Sequence, residues 1–393
     1  VDLGDPLDGE SPLTAINTSG AYDLRHWIQC GLVAVVLLIA LPVHADGYET
    51  NWYYEVDKKS AWQGDLTSRL KAIEGVFEGE LGVYVQNLLS GEVFSWRADA
   101  PWYLASLIKI PVAAQVLAER QAGTLTLDER LTLAQSDFVD GAGPTNWHDP
   151  GTPISIRYLL EQMITVSDNT ATDMLIDRVG LAEVNERARA MIAESGGNPD
   201  ELGPITTLVG VRQGVYGELH PDARALGGMD FIALRQHAVS QRAQALARAL
   251  GVRTESFTQP DYDQAFDAYE ATGGNVGTLR AFGDLLASLH GGTDDLSAEQ
   301  RQTLLAVMQR TSSGKRRLKA GLGEGINFAH KTGTQQRRSC DAGIAKRANV
   351  ETTTQGPWVI VSCARGPAAV SAHERALASV GEALRYSGAL GKP

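Results

Sequence analysis

Apolar positions along this chain follow two periods, and the change between them divides it. The segment "LGVYVQNLLSGEVFSW", from Leu81, reads as a strand, a Ser90-Gly91 turn and a second strand, that is, a hairpin. Residues 66–77 ahead of it space their apolar positions as a helix. In "ASLIKIPVAAQVL" (105–117) the period is again helical, opening at Ser106, with Pro111 close enough to the first turn to be tolerated. In "SIRYLLEQMITVSDN", Ile156, Leu159, Leu160, Met163 and Ile164 share one helical face, Ser155 is placed as the N-cap, and the helix stops where Ser167 begins. From 170 to about 289 nearly everything reads helical. Ser297 and Gln300 then form a capping box for "SAEQRQTLLAVMQRT". Beyond it the period shortens to that of strands at 327–333, 342–346 and 358–364, and a last helix covers about 372–386.

Strands at both ends with helices between them predict an α+β domain. One antiparallel sheet would be assembled from the two ends and flanked by the terminal helices. The middle, about 120–310, would be inserted as a helical lobe, with the cleft between sheet and lobe as the natural site.

A length of 393 residues suits one large or two interleaved domains. The net charge of −12 and a pI near 5.2 argue against nucleic acid and against anionic membrane surfaces. Residues 1–45 read as an N-terminal extension and signal peptide. One arginine precedes an apolar run at about 31–41, and Val43-His44-Ala45 places small residues where a signal peptidase cuts. The run is shorter than the ~20 apolar residues of a spanning helix. Cleavage is therefore expected after Ala45, releasing residues 46–393 as a periplasmic or secreted catalytic domain. The acidic stretch ahead of the run fits no n-region, which points to a true start further along. Cys30 precedes the apolar run, so a lipid-anchored cysteine is not expected. Cys340 and Cys363 would then remain, either paired in an oxidising compartment or both free. The eight histidines and three cysteines show no metal spacing, so neither a metal nor another cofactor is expected.

Three short stretches bear chemistry: Ser106-Leu107-Ile108-Lys109, Ser167-Asp168-Asn169 and Lys331-Thr332-Gly333. Each alone has an ordinary reading as a helix cap, a turn or a solvated strand end. Together the first opens a helix, the second ends one and the third lies on a late strand. In that order they resemble the serine β-lactamase/penicillin-binding-protein superfamily, most closely class A, from about residue 66 onward. "GTPISIRYLLEQMITVSDNTATDMLI", "FAHKTGT", "DAGIA" and "WVIVSCA" extend the likeness.

The resemblance implies a β-lactamase/transpeptidase-like fold and a serine nucleophile. Ser106 would attack a carbonyl while Lys109, its pKa lowered by desolvation, takes the proton. Backbone N–H groups of Ser106 and Thr334 would form the oxyanion hole. Ser167 would pass a proton to the leaving nitrogen, and Asn169 would bind the substrate amide. Lys331 and Thr332 would hold the substrate carboxylate, with Gly333 letting substrate lie close to the strand. Lys109 Nζ and Ser167 Oγ should reach Ser106 Oγ, with Lys331 close behind Ser167.

The likeness thins after Ser167-Asp168-Asn169. Class A enzymes carry a deacylating glutamate in an E-x-x-L-N pattern. The nearest match, "VYGELHPD", puts Tyr216 at the glutamate and His220 at the asparagine. Glu218 is then one of several nearby carboxylates, with Asp200 and Glu201, none correctly spaced. The stretch from Ser167 to Lys331 is also longer than the class A pattern. The surplus is placed at about 221–269, as a surface elaboration or as a lid over a larger site. The carboxylate-binding arginine has no assigned position: Ala342 occupies one familiar place, and Arg337, Arg338 and Arg375 are candidates.

The expected function is a secreted, monomeric serine hydrolase opening β-lactam rings through a Ser106 acyl-enzyme. The alternatives are a D-alanyl-D-alanine carboxypeptidase acting on peptidoglycan peptides and a slowly deacylating β-lactam sensor. A glutaminase shares only the first motif. No nucleic-acid or stable membrane partner is expected.

Overall fold

The computed structural model describes residues 60–391, apart from 142, 292–295 and 349–354. The expected leader, its cut after Ala45 and Cys30 lie outside the described residues.

Helix α1 (Ala61–Glu74) leads into the hairpin of β1 (Glu80–Asn87) and β2 (Val93–Trp96), closed by a turn in which Gly91 takes φ +74°. A short β3 (Pro101–Tyr103) and a 3-10 turn, Ala105–Ile108, precede α2 (Lys109–Ala122). Short strands β4 (Arg130–Thr132) and β5 (Pro153–Ser155) pair and lead to α3 (Ile156–Thr165), whose N-cap Ser155 accepts from Tyr158 N as its sequence predicts. The lobe continues through α4 (Asn169–Val179), α5 (Leu181–Glu194), α6 (Leu208–Leu219), α7 (Gly228–Arg235), α8 (Arg242–Leu250) and α9 (Tyr262–Ala271). Strand β6 (Val276–Thr278) pairs with β3, and α10 (Leu279–Gly291), α11 (Ala298–Gln309) and α12 (Leu318–Leu322) follow. The long strands β7 (Ile326–Gln335), β8 (Arg338–Arg347) and β9 (Trp358–Arg365) and helix α13 (Val370–Ser387) complete the order.

The main sheet has the order β2-β1-β9-β8-β7, every pair antiparallel. The first long strand of the domain pairs with the last, Tyr84 opposite Val361, so the two ends build one sheet. Strands β8 and β9 are buried along most of their length because both faces are covered. On one face Leu66, Leu70, Leu377, Val380 and Leu384 of α1 and α13 pack against Phe328 and Ile360. On the other, Ile110, Val116, Phe282 and Leu285 of the lobe meet Ile344 and Val361. A third core ties α6 to α7–α9 through Val215, Tyr216, Phe231, Leu246 and Phe266.

Four details depart from the sequence reading or complete it. Ser106 opens a 3-10 turn, and the α-helix starts only at Lys109. The small β3–β6 and β4–β5 pairs interrupt what reads as helix and loop, too short to leave a periodic signal. Only half of the capping box forms: Ser297 Oγ accepts from Gln300 N, while Gln300 Oε1 accepts from Arg120 Nη1 at 3.1 Å. Cys340 and Cys363 face each other across β8 and β9, their Cα atoms 4.1 Å apart, and are joined as a disulfide. Among the described residues no helix is long and apolar enough to cross a membrane.

Candidate active site

The first motif sits where the chain turns from β3 into α2. Ala105 takes φ +49°, and the turn is closed by Leu107 N donating to Leu104 O at 3.1 Å. That leaves Ser106 half-buried at the cleft and carries Lys109, one turn on, wholly inside. The edge strand β7 runs so close that a Cβ at Gly333 would strike Leu104 O and Ala105. Packing of β7 against the Ser106 turn therefore requires glycine at 333.

The second motif links α3 to α4. Ser167 takes φ +68°, a conformation that costs a non-glycine residue energy and is held by its surroundings. Asp168 Oδ1 caps α4 by accepting from Ala171 N at 2.9 Å, and Oδ2 accepts from Thr145 N at 2.8 Å. Asn169 Nδ2 donates to Asp140 O at 2.6 Å. The loop carrying Asp140 passes over both residues, and a Cβ on Gly141 or Gly143 would run into the Asn169 or Asp168 side chain. Asp140, Gly141 and Gly143 therefore buttress the second motif, which periodicity does not reveal.

Lys109 joins the first two motifs. Its Nζ donates to Ser167 O and Asn169 Oδ1, each at 2.7 Å, and makes longer contacts of 3.3 Å to Ser167 Oγ and Asp168 O. Burial drives this ammonium down from the usual lysine range to about 7, against the attraction of Asp168 and Asp173. Lys331, on β7, donates to Ser167 Oγ at 2.9 Å and Thr332 O at 2.8 Å. Burial, then the Lys109 and Arg317 charges, hold Lys331 well below the ordinary lysine value. Lys331 thus stands close behind Ser167 as expected, and Ser167 Oγ sits between the two lysines. Ser106 Oγ does not join them: among the described residues it makes no hydrogen bond to Lys109 or Ser167.

All three motifs open on one cleft of about 350 Å³, lined by Ser106, Ser167, Asn169, Thr332 and Thr334, and by Arg212 and Arg235 from the lobe. A sequence profile of the Beta-lactamase enzyme family matches residues 65–196 and 224–386, well over half of the chain. The chain belongs to that family. Its superfamily is that of the serine β-lactamases and penicillin-binding proteins. The BRO-1 β-lactamase of Moraxella catarrhalis is 28% identical over 163 residues, 40% of this chain and 52% of that one. The ROB-1 β-lactamase of Haemophilus influenzae is 27% identical over 147 residues, 37% of this chain and 47% of that one. The chain thus spans about half the length of these relatives. In structure it resembles a β-lactamase of Sphaerobacter thermophilus DSM 20745 (TM-score 0.59, 23% identity, 83% of this chain and 97% of that one). It also resembles PBP-A (TM-score 0.56, 23% identity, 82% and 94%). At these identities the likeness is one of fold.

Against the family's pattern, the residues proposed for the loop after the second motif fall elsewhere. Tyr216 is buried in the third core, stacked on Phe231, and Glu218 pairs with Arg224 at 2.9 Å. Asp200 pairs with Arg189, and Glu201 accepts from Thr278 Oγ1. None of the four lines the cleft. Tyr216 lies one turn beyond Arg212 on the same side of α6 and packs on Phe231 and Tyr262, whereas Arg212 lines the cleft.

The candidate arginines are likewise engaged away from the cleft. Arg338 is held by Asp267 and Glu270 of α9, and Arg337 lies 3.6 Å from Asp267. Arg375, on α13, lines a hollow with Val76 and Phe77. A further arginine, Arg317, lies nearly buried just before α12 and reaches β7. Its Nη1 donates to Gly333 O at 2.8 Å and Cys340 O at 2.9 Å, and its Nη2 to Thr334 Oγ1 at 2.7 Å. Glu374 of α13 stands 3.6 Å from its Nε. Nothing in "SGKRRLKAG" separates Arg317 from Arg316, which is exposed; only the packing does.

Proposed function

We propose that this protein is a serine hydrolase of the β-lactamase type, forming an acyl-enzyme on Ser106. The observation that carries the reading is Lys109, buried, brought to about 7 and hydrogen-bonded to both Ser167 and Asn169. A neutral amine has two N–H donors and one lone pair. Its donors suit the two 2.7 Å bonds, which leaves the lone pair for the Ser106 hydroxyl. That bond is absent from the free cleft, and catalytic contacts of this kind commonly tighten only with substrate in place.

In the proposed sequence Ser106 Oγ attacks the ring carbonyl and Lys109 takes its proton. The oxyanion forms against the N–H groups of Ser106 and Thr334. Lys331 donates to Ser167 Oγ, so the hydroxyl's own hydrogen is free to pass to the departing nitrogen while Lys109, 3.3 Å from the same oxygen, hands it the proton taken from Ser106. Asn169 orients the substrate amide. Lys331, Thr332 and Thr334, backed by the Arg317 charge, receive the substrate carboxylate. Water then attacks the ester at Ser106 and frees the enzyme.

A second reading has its own support. Among the described residues no carboxylate lines the cleft, and Asp140 beside it is bound by both Arg212 and Arg235, so no free carboxylate stands ready to activate the deacylating water. That favours slow clearance, as in a D-alanyl-D-alanine carboxypeptidase acting on peptidoglycan peptides or in a β-lactam sensor. The Cys340–Cys363 disulfide supports export to an oxidising compartment, in keeping with the proposed leader at 1–45. We treat 46–393 as one catalytic domain whose surplus helices wall the cleft rather than decorate the surface, a reading supported by Arg235 of α7 in the lining.

Intact-protein mass after mixing with benzylpenicillin tests these readings. An adduct that forms and clears supports the β-lactamase, and one that persists supports the peptidase or sensor. No adduct together with no loss of benzylpenicillin, or an adduct that survives Ser106→Ala, overturns the Ser106 acyl-enzyme.

A further inference from the structure

Arg212 of α6 and Arg235 of α7 enter the cleft from the helical side and share a single carboxylate. Arg212 Nε donates to Asp140 Oδ1 at 2.5 Å, and Arg235 Nη1 donates to Asp140 Oδ2 at 3.0 Å. Burial works against ionisation of Asp140, yet the two guanidinium groups together hold it below the usual carboxylate range. The trio therefore carries one net positive charge.

A guanidinium has five N–H donors in a planar fork. Among the described residues Arg212 spends only Nε and Arg235 only Nη1, so both Nη groups of Arg212 and the Nη2 of Arg235 remain unspent beside the cleft. The Arg212 side chain is 14% exposed and that of Arg235 is 52% exposed. An anion reaching Arg212 would be poorly screened by water, whereas Arg235 can move to meet it. Asp140 also accepts the Asn169 amide through its main-chain oxygen, which ties the arginine pair to the motif expected to hold the substrate amide.

We propose that Arg212 and Arg235 form a second carboxylate subsite, selecting substrates whose acyl portion bears an acidic group besides the carboxylate bound near Lys331. The substrate class is thus a dianionic acyl donor: a β-lactam, or a peptide with an acidic side chain, carboxylated at both ends. This rests on the acyl-enzyme reading above and deepens it. The competing role for the trio is an ion-pair clamp that only fastens the Asp140 loop to α6 and α7.

Benzylpenicillin and carbenicillin differ by one carboxylate on the acyl side chain and make the test direct. Calorimetric Kd values are measured for both on the Ser106→Ala chain at low salt, then with Arg235→Gln and, separately, Arg212→Lys added. Carbenicillin should bind about tenfold tighter than benzylpenicillin, the size expected of a charge-assisted bond at a partly desolvated site. Arg235→Gln should bring that ratio close to one. Arg212→Lys, which keeps the charge but loses the fork, should lower it in part. Equal affinities on the parent chain, a ratio indifferent to Arg235→Gln, or no binding of either penicillin would overturn the subsite. Acylation of the Ser106 chain by benzylpenicillin reports separately on the acyl-enzyme: a flat ratio with acylation intact removes only the subsite.

Discussion

Lys331 Nζ stands 2.9 Å from Ser167 Oγ, a contact made across 164 positions of chain, and both groups are held from behind. Lys331 is fixed by Thr332 O and Ser167 by the strained turn that ends α3. If Ser167 is the proton donor to the leaving nitrogen, Ser167→Ala should slow acylation by benzylpenicillin about a hundredfold or more. Its melting temperature should fall only modestly, since the strained φ is unchanged but buried Lys331 loses a hydrogen-bond acceptor. A stopped-flow acylation rate within threefold of the parent would remove Ser167 from the chemistry.

The state of Lys109 predicts a pH profile. With its folded value near 7, the neutral amine is the minor form at pH 6 and the major form at pH 8. Acylation should therefore rise through pH about 7 and level off above it. Stability should follow in the same direction. The unfolded lysine keeps its proton up to about pH 10.4, so between about 7 and 10.4 the unfolded chain binds more protons and stability rises with pH. Below about 7 both states are protonated and this contribution is flat. Lys109→Met should abolish the rising limb of the rate profile; a profile unchanged by that substitution would exclude Lys109 as the base.

Gly333→Ala probes the approach of β7 to the Ser106 turn. The new methyl group would meet the Leu104 carbonyl, backbone that cannot rotate aside. A loss of about 1–3 kcal/mol is expected on urea unfolding, the usual cost of overpacking, together with slower acylation as the turn shifts. Parent-like stability and rate would mean that the strand is not pinned there.

The Cys340–Cys363 bond closes a short segment between two buried central strands. Replacing both cysteines with alanine should lower stability by about 2–4 kcal/mol while leaving the order of the sheet intact. Chemical denaturation of the double variant under non-reducing conditions measures it. A parent-like midpoint would show that the bridge adds little to the strand pairing already present.

Local patterns were enough for much of the molecule. The hairpin at β1 and β2, the Ser155 cap, the helical middle and the late strands each follow from spacing within a dozen residues, and so are legible in one chain. The order and setting of the three motifs are legible for the same reason. The sheet built from both ends follows because exposed strands at either end have only each other to pair with. What the tertiary structure decided depends on which surfaces meet across a hundred residues or more. Burial under α4 turns Lys109 from an ordinary surface lysine into a group poised near neutral pH. Packing selects Arg317 over Arg316 to lie beneath β7, sends Arg337 and Arg338 to α9, and brings Arg212 rather than Tyr216 to the cleft. Charge, hydrogen-bond partners and solvent access are properties of the assembled neighbourhood, and no periodicity along the chain encodes them.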